Sequence, residues 1–211
     1  MGKRYEQYCP VAHALDVVGD RWALLVVREL TQGPKRYTDL ADGLPGIGTN
    51  ILAARLRDLE AAGIVMKRTL PPPAASRVYE LTDYGLELKP VMRELALWGA
   101  RSLGPPTAED ELFPGWLVCP IDMILAPRAP TGRFEFRVGD EVASLSDGNA
   151  CAGPLEDADV VVSAPDPAAF YHLFVERRWD EIDVEGDRRL LERLLEAASA
   201  PAAGAPVPAV A

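Results

Sequence analysis

The sequence is short of the residues that hold small secreted proteins together, with three cysteines, Cys9, Cys119 and Cys151, far apart along the chain. An odd number of scattered cysteines does not form a disulfide framework, and a reducing compartment is the natural setting for such a protein. No stretch approaches the roughly 20 consecutive apolar residues that a membrane-spanning helix needs. The opening residues, MGKRYEQYCP, lack the apolar core of a secretory signal. We therefore predict a cytoplasmic protein with no membrane partner.

The sequence is also poor in patterns that perform catalysis or bind metal ions. It has no glycine-rich phosphate-binding loop and no serine in a nucleophile-elbow pattern. His13 follows Cys9 by four residues, but a zinc site needs three or four ligands and no third ligand lies nearby. We therefore predict a protein that is not an enzyme, with no catalytic residues, no cofactor and no bound metal.

What the sequence has in abundance is acidic charge, and this charge is unevenly distributed. The chain of 211 residues has a net charge of −10, with 48% apolar and 26% charged residues. Residues 1–103 hold 14 basic and 12 acidic side chains, a balance of +2, whereas residues 104–211 hold 8 and 20, a balance of −12. A mildly basic part and a strongly acidic part indicate two units with different partners.

Two segments rich in proline, glycine or alanine mark candidate domain boundaries. Residues 102–110, SLGPPTAED, end a helical pattern, because proline lacks the amide hydrogen and its ring clashes with the preceding turn. Residues 199–211, SAPAAGAPVPAVA, are uncharged and aperiodic, which predicts a flexible tail with no function of its own. The sequence thus predicts one domain over 9–104 and a second domain over 110–198.

The first domain opens with helical patterns. Residues 9–30, CPVAHALDVVGDRWALLVVREL, predict two helices that Gly19-Asp20 separates, and Gly33-Pro34 ends the second helix. A short helix follows from Thr38 to Gly43, with Thr38 as its expected N-cap. The segment after these helices carries the strongest functional signal.

Residues 49–63, TNILAARLRDLEAAG, predict a helix that runs from an N-cap at Thr49 to a stop at Gly63. At about 100° per residue, one face holds Leu52, Leu56 and Leu59. The opposite face is small, polar and basic, and holds Asn50, Ala54, Arg57 and Ala61, with Arg55 on a flank. Small residues let a helix enter the DNA major groove, where arginine and asparagine can bind the edges of guanine and adenine.

A basic hairpin follows this helix. The β-rich runs IVMKRTL and RVYELT flank the loop PPPAAS, residues 71–76, which predicts two antiparallel strands. Three helices and a hairpin form a winged helix-turn-helix, in which the 49–63 helix reads bases while the hairpin, or wing, holds phosphates. The candidate DNA-binding residues are Lys35, Arg36, Thr49, Asn50, Arg55, Arg57, Lys67, Arg68 and Arg77.

The same helix allows a plainer interpretation. Arg55, Arg57 and Glu60 could form a solvated face with ion pairs three residues apart and no ligand. The basic hairpin at helix-turn-helix spacing is the feature that favours DNA binding.

The ordered motifs of residues 5–103 resemble the HxlR family of bacterial transcriptional regulators. The resemblance rests on CPVAHALDVVGDRWALLVVREL, GPKRYTDLADGLPGIGTNILAARLRDLEAAGIV and RVYELTDYGLEL. It implies a homodimer on double-stranded DNA, with a pseudo-palindromic operator whose half-sites lie roughly one helical turn, about 10 bp, apart. The family likeness favours repression over activation.

The resemblance also assigns the dimer contact to the first helix and to the helix after the wing. That second helix, residues 83–103, carries apolar side chains at helical spacing: Leu86, Leu88, Val91, Leu95, Leu97 and Trp98. Packing of this helix on its own domain is the alternative to dimerisation.

Cys9 precedes Pro10 at the start of the first helix, where some members of the family carry a thiol that senses oxidants or quinones. Helix N-termini favour the thiolate, which is the reactive form of cysteine. The usual second cysteine of the DNA-binding domain has no counterpart in this sequence. A redox-sensing regulator that acts through Cys9 is therefore an alternative to a ligand-controlled one.

The acidic part predicts a smaller α+β domain with an antiparallel sheet, so that the whole chain is α+β. Residues 116–125, WLVCPIDMIL, form a continuous apolar run that fits a buried strand or a buried helix. Residues 132–153 alternate with period two around turns at Gly139-Asp140 and Asp147-Gly148, and DADVVVSA predicts a further buried strand. Helices are predicted in PDPAAFYHLFVERRW and in the last part of DEIDVEGDRRLLERLLEA.

This order of segments resembles a sterol-carrier-protein-like domain, above all in DADVVVSAPDPAAFYHLF and VEGDRRLLERLL. The resemblance implies an apolar tunnel that binds a hydrophobic small-molecule effector. The candidate lining residues, for which ordinary core packing is the alternative, are Trp116, Phe134, Phe136, Phe170, Phe174 and Trp179. A small-molecule carrier or scaffold without DNA binding is the other function that the sequence leaves open.

Overall fold

The computed structural model describes residues 4–107, 110, 112 and 115–198. The chain divides into two compact units, Met1–Met92 and Arg93–Ala211. The domain limits 9–104 and 110–198 remain predictions, and the tail predicted for 199–211 lies outside the described residues. None of the described helices combines the length and the apolar character that crossing a membrane requires.

The N-terminal part has the predicted order of helices and hairpin. Its described elements are α1 Pro10–Val18, α2 Ala23–Thr31, α3 Tyr37–Asp42, α4 Thr49–Ala61, β1 Val65–Thr69, β2 Arg77–Leu81, α5 Asp83–Leu86 and α6 Leu88–Leu103. The strands β1 and β2 pair antiparallel in a register that joins Val65 to Leu81 and Thr69 to Arg77. The main chain of Lys35 extends this ladder through hydrogen bonds of 2.8 and 3.0 Å with Tyr79.

Two helices begin differently from the sequence prediction. In α3 the cap position is Arg36, whose N–H donates a hydrogen bond of 2.9 Å to the Asp39 carboxylate. In α4 the cap position is Gly48, with no side-chain hydrogen bond, and Thr49 is already helical. The N-cap predictions for Thr38 and Thr49 are therefore wrong. In α3 the Asp39 carboxylate, one turn after the cap position, accepts the capping hydrogen bond, and in α4 no side chain caps the helix.

The helix α4 packs one face on the core and ends where the sequence predicts. Leu52, Leu56 and Leu59 are each at most 2% exposed, and the helix contacts α1 and α2. Gly63 follows the helix with φ +72°, a left-handed conformation that glycine adopts without a Cβ clash. Burial of the leucine face fixes which side of α4 is open to solvent.

The single helix predicted over 83–103 is wrong, because α5 ends at Leu86 and α6 begins at Leu88. Pro90 explains the break, since a helical proline lacks an amide hydrogen and its ring conflicts with the carbonyl four residues earlier, that of Leu86. The short α5 is capped by Thr82, whose hydroxyl oxygen accepts a hydrogen bond from the Gly85 N–H at 3.0 Å.

The second unit contains a mixed sheet with helical segments on either side of it in the chain. Its described elements beyond α6 are α7 Val118–Pro120, a π-helical turn Ile121–Leu125, a 3-10 turn Ala126–Arg128, β3 Arg133–Val138, β4 Glu141–Ser146, β5 Asn149–Ala152, β6 Val160–Ala164, α8 Pro167–Tyr171, a π-helical turn His172–Glu176, β7 Asp183–Gly186 and α9 Arg188–Ala198. The apolar run 116–125, for which strand and helix were both open, is helical from residue 118. The strand β7 was not predicted, because its four residues lie in the acidic segment DEIDVEG, where Ile182 and Val184 are the only apolar residues.

The prediction of an antiparallel sheet is wrong for one strand pair. The strands follow the order β5-β4-β3-β6-β7, and β6 runs parallel to β3 while the other neighbours are antiparallel. After β5 the chain crosses to the other side of β3, and on this path the Leu155 N–H donates to Glu135 at 2.7 Å. Alternation of apolar residues specifies which side chains face the core, but it does not specify the order in which strands pair.

Candidate nucleic-acid interface

The face of α4 opposite its leucines is open to solvent. Asn50, Arg57 and Ala61 are exposed, and Ala54 is half-buried. Because the two alanines have short side chains, another surface can approach the helix closely between the two polar groups. This is the surface chemistry that the sequence predicts for the face.

Arg57 is a cation without an acidic partner in the described part of the chain. Its Nε donates to the carbonyl of Ala53 at 3.3 Å, and no carboxylate of the described residues forms an ion pair with it. Its charge is therefore available to an external acceptor.

Arg55, two residues earlier, is in a different situation. Its guanidinium forms an ion pair with Asp20, in the turn between α1 and α2, and a second with Asp58 at 3.2 Å. The side chain is 20% exposed, so it lies mostly within the protein surface. The structure therefore separates the two arginines of this helix, one turned outward and the other held by carboxylates.

The hairpin formed by β1 and β2, called the wing below, carries three cationic side chains, two of which have an acidic partner. Lys67 donates to Glu60 at 2.6 Å and lies 5.6 Å from the ring centre of Tyr79. The hydrogen bond to Glu60 raises the pKa of Lys67 above its ordinary value. Arg68 pairs with Glu80 at 2.8 Å, whereas Arg77 is exposed and forms no ion pair within the described chain.

Lys35 and Arg36 lie before α3, and both have internal partners. The Lys35 ammonium is 2.7 Å from a carboxylate oxygen of Glu29, a side chain that is only 9% exposed. Arg36 pairs with Asp39 at 3.3 Å, and the Arg36 N–H holds the pKa of that carboxyl below its ordinary value. Lys35 thus belongs to the internal packing of the first unit, while Arg36 remains at the surface.

The structure brings some of the predicted DNA-binding residues onto one helix and adds residues that the sequence interpretation missed. Thr49 and Asn50 stand in the first turn of α4, where the Thr49 carbonyl accepts a hydrogen bond of 2.7 Å from the Tyr37 hydroxyl. Ile51, which is 45% exposed in the same turn, was missed because the sequence interpretation placed it on neither the leucine face nor the polar face. Asp20 was missed because no local pattern shows that a turn residue reaches a helix 35 positions later.

Comparison with known proteins identifies the first half of the chain. A family model described as HxlR-like helix-turn-helix matches residues 17–106. An uncharacterised HTH-type transcriptional regulator of Synechocystis, sll1512, is 36% identical over 107 residues, which cover 51% of this chain and 79% of that protein. The HTH-type transcriptional regulator YodB of Bacillus subtilis is 34% identical over 98 residues, which cover 46% of this chain and 88% of YodB. A solved structure of reduced YodB, 32% identical, covers 48% of this chain and 100% of that chain with a TM-score of 0.41.

The chain belongs to the HxlR-like helix-turn-helix family. Its named relatives are transcriptional regulators, so this is a family of regulators and not of enzymes. The match spans α3 and α4, two consecutive helices joined by a short loop, and in helix-turn-helix proteins the second helix of such a pair enters the major groove. The family match ends at residue 106, so it concerns the first half of the chain.

Cys9, the one cysteine in the sequence of residues 1–106, is half-buried directly before α1. It is a free thiol, and its carbonyl accepts the first helical hydrogen bond, from the His13 N–H at 2.9 Å. Cys119 and Cys151 belong to the second unit, and neither forms a disulfide within the described chain. Among the described residues, no group of three or more histidine, cysteine, aspartate or glutamate side chains is arranged to hold a metal ion.

Five of the six predicted ligand-binding aromatics form one network of ring contacts in the second unit. Phe136 lies 6.4 Å from Phe134, 6.1 Å from Phe170 and 6.0 Å from Phe174, measured between ring centres. Trp116 meets Phe170 edge-on at 6.4 Å. The sixth, Trp179, instead stacks under the guanidinium of Arg188 at 4.4 Å.

Three of these aromatics are core residues, because Phe134 and Phe136 are 0% exposed and Phe170 is 7% exposed. Trp116, Phe174 and Trp179 are only half-buried. The half-buried rings are the ones that a bound molecule could reach without unfolding the sheet.

Proposed function

We propose that this protein is a cytoplasmic transcriptional regulator, and a repressor, that binds a pseudo-palindromic operator in double-stranded DNA as a homodimer. The observation that carries the proposal is the open face of α4, where Asn50 and the unpaired Arg57 flank short side chains. The leucines on the opposite face hold the helix in place, so this face can enter a groove as a rigid element.

The residues of α4 divide the reading of bases between them. The Arg57 guanidinium donates two parallel hydrogen bonds to O6 and N7 of guanine, and the Asn50 amide pairs with N6 and N7 of adenine. Each such pair is worth about 1–3 kcal/mol of discrimination against the wrong base. Ala54 and Ala61 let the helix backbone approach the base edges.

The wing and the start of α3 supply contacts to phosphates. Arg77 is available at once, because it has no carboxylate to leave. The ion pairs of Arg36, Lys67 and Arg68 lie at the surface, where such pairs are worth about 0–1 kcal/mol, so a phosphate can replace the carboxylate. Lys35 stays with the buried Glu29 and acts on DNA only by supporting α3.

The dimer forms through apolar side chains that the described chain leaves uncovered. On α6, Val91, Leu95 and Trp98 follow helical spacing and are 56%, 49% and 64% exposed. On α1, Val11 and Leu15 are 67% and 46% exposed. A soluble protein rarely exposes such a stripe, and a two-fold dimer that covers it presents two α4 helices to successive half-sites.

The second unit serves as the effector domain, with a hydrophobic small molecule as the ligand. Its support is the aromatic network, whose half-buried members are Trp116 and Phe174. Residues 104–211 carry a charge of −12, which keeps this part away from phosphates. An effector that binds the DNA-competent form more weakly by about 1–3 kcal/mol changes DNA affinity 5- to 150-fold.

The experiment that tests the proposal is a binding titration of the full chain on duplexes enriched from a random pool by the protein itself. We expect an enriched inverted repeat that binds at least about 1,000-fold more tightly than random duplex. Arg57→Gln should lose about 5- to 150-fold on the enriched duplex and little on random duplex. Arg189→Gln, an exposed arginine of α9, is the matched control and should bind as the wild type does.

Two results would refute this function. Failure to enrich any sequence would favour a small-molecule carrier or scaffold, in which the winged helix serves only for dimerisation. Equal losses for Arg57→Gln on enriched and random duplex would exclude a base-reading role for α4.

Redox sensing through Cys9 is the second candidate mechanism of control. Its support is the position of this free thiol directly before α1, since helix N-termini favour anions and the thiolate is the reactive form. A quinone or diamide should then weaken DNA binding by the wild type and leave Cys9→Ser unaffected. An equal response from Cys9→Ser would exclude this mechanism.

A further inference from the structure

The turn between α1 and α2, Gly19–Trp22, reaches α4 and the loop before it. The Asp20 carboxylate accepts a hydrogen bond from Arg55 Nη1 in the middle of α4. Trp22 adopts a left-handed backbone conformation, with φ 79°, and a Cβ built on Gly46 would lie 4.0 Å from the tip of its indole ring. A strained conformation in a non-glycine residue persists only where the surroundings fix it. The turn therefore contacts α4 through Asp20 and the loop before α4 through Trp22.

Arg55 is built into this contact and is not free to reach DNA. Its Nη1 is shared between the carboxylates of Asp20 and Asp58, and its Nε is buried without a hydrogen-bond partner in the described chain. Moving the side chain out to a base would leave two carboxylates unpaired. Arg57, in contrast, has no carboxylate to leave.

We propose that Asp20 and Arg55 are a positioning pair that, together with the buried leucine face, holds the rotation of α4 about its own axis, so that Asn50 and Arg57 face the groove. Residues two positions apart on a helix point about 200° apart, so fixing Arg55 on one side fixes the direction of Arg57 on the other. This inference rests on the proposed DNA-binding function and removes Arg55 from the base-reading residues.

The pair also links α1 to α4. Asp20 follows α1 by two residues, and Gly19 between them leaves no room for a side chain, since a Cβ there would lie 2.4 Å from the Leu15 carbonyl oxygen. A displacement of α1 is therefore passed to the turn and, through the ion pair, to α4. Any effector that moves α1 acts on base reading by this route.

The test is a double-mutant cycle of Asp20→Asn and Arg55→Gln in the full chain, with affinity measured on enriched and on random duplex. Each single variant should lose about 3- to 20-fold on the enriched duplex, and the double variant should lose no more than either one. Arg57→Gln combined with Asp20→Asn is the matched control, and these losses should multiply.

The Asp20→Asn variant distinguishes most clearly between a positioning role and a base-reading role of Arg55. If Arg55 read bases, loss of Asp20 would release it, and Asp20→Asn would bind as tightly as the wild type or more tightly, which would overturn the proposal. Equal losses of affinity on random duplex, or a lowered midpoint of thermal unfolding that accounts for the loss, would also overturn the proposal. The pair would then only stabilise the fold. If the wild type itself shows no preference for any sequence, the proposed function fails first.

A separate observation concerns Ile51. This β-branched side chain is 45% exposed in the first turn of α4, beside Asn50, although burying it would be favourable. The first turn of the second helix is the part that contacts base edges in helix-turn-helix proteins, and thymine is the one base that presents a methyl group in the major groove. We infer that Ile51 contacts a thymine methyl group next to the base that Asn50 reads, which again rests on the proposed function.

Uracil in place of thymine removes that methyl group and nothing else. We expect one thymine in each half-site of the enriched duplex at which this replacement weakens wild-type binding about 3- to 5-fold. Ile51→Ala should bind more weakly and lose its sensitivity at that position, while Met66→Ala, an exposed apolar side chain of β1, should keep it. Two results on a duplex that the protein binds specifically would overturn the inference. One is wild-type binding that no thymine-to-uracil replacement weakens, and the other is Ile51→Ala binding that the replacement weakens as much as it weakens the wild type.

Discussion

The two units use their arginines in opposite ways. In the first unit Arg57 and Arg77 point to solvent, and no carboxylate of the described residues pairs with them. In the second unit Arg177 donates to the carbonyls of Phe174 and Leu195, at 2.8 and 2.6 Å, and so closes the ends of two helical segments. A guanidinium without a carboxylate partner is the most available to an external acceptor, so the acceptors around an arginine are a better guide to function than its presence in a motif.

Apolar side chains show a similar contrast, here between a helix and the sheet. On α6, Leu95 and Trp98 are exposed, whereas the rings of Phe134 and Phe136 in β3 are fully buried. The exposed side chains on α6 are available to an external partner, whereas the buried rings pack against other residues of the second unit.

Breaking the dimer should have the largest effect on function. Trp98→Glu places a charge in the apolar stripe of α6, and we expect sedimentation velocity to show a monomer that binds the enriched duplex at least about 100-fold more weakly, because half of the contacts are lost. Val175→Glu, at a 48% exposed position in the second unit, is the control and should remain as the wild type. A dimeric Trp98→Glu would contradict the assignment of the interface to α6.

Removing a central ring should have the largest effect on stability, and only in the second unit. Phe136→Ala leaves a cavity among three neighbouring rings and should lower the free energy of unfolding by about 3–5 kcal/mol. Hydrogen–deuterium exchange should show faster exchange in β3 and β6 with unchanged protection of α4. Equal loss of protection in both units would show that they do not fold separately.

Arg177→Ala tests an arginine that serves the fold. Two carbonyls lose a charged donor, and we expect the second unit to lose about 1.5–3 kcal/mol of stability. Urea titration followed by circular dichroism measures this loss, with exposed Arg178→Ala as the neighbouring control. DNA affinity should not change, and a change would mean that Arg177 also acts on the first unit.

Arg77→Ala tests an arginine that serves an external phosphate, with a smaller effect. The loss of affinity should be several-fold on every duplex, and the slope of log affinity against log salt should become shallower by about 1. An unchanged slope would remove the wing from the DNA contacts.

Sequence patterns located the elements of the first unit well, because the leucine spacing of α4 and the glycine at its end are local signals. They misplaced two helix starts, at Thr38 and Thr49, because the Asp39 carboxylate caps α3 from inside the helix and α4 begins after Gly48 with no side-chain cap. They also missed the break before Pro90, although the conflict between a proline ring and an earlier carbonyl is a local rule.

The partners of charged side chains could not be predicted. Arg55 and Arg57 lie two positions apart on the same helix, yet Asp20 pairs with only one of them, from a turn 35 positions away. In the second unit, period-two alternation identified β3 and β4 but not the parallel pairing of β6, because pairing order depends on the path of the chain between strands.

Replacing each guanine of the enriched duplex in turn by 7-deazaguanine is the most direct test of the claim that the open face of α4 reads the major groove. The analogue lacks the N7 acceptor and leaves the minor groove unchanged. We predict one guanine in each half-site whose replacement weakens wild-type binding but does not further weaken Arg57→Gln. If no replacement matters, or if Arg57→Gln remains as sensitive as the wild type, the account of α4 as the base-reading helix is contradicted.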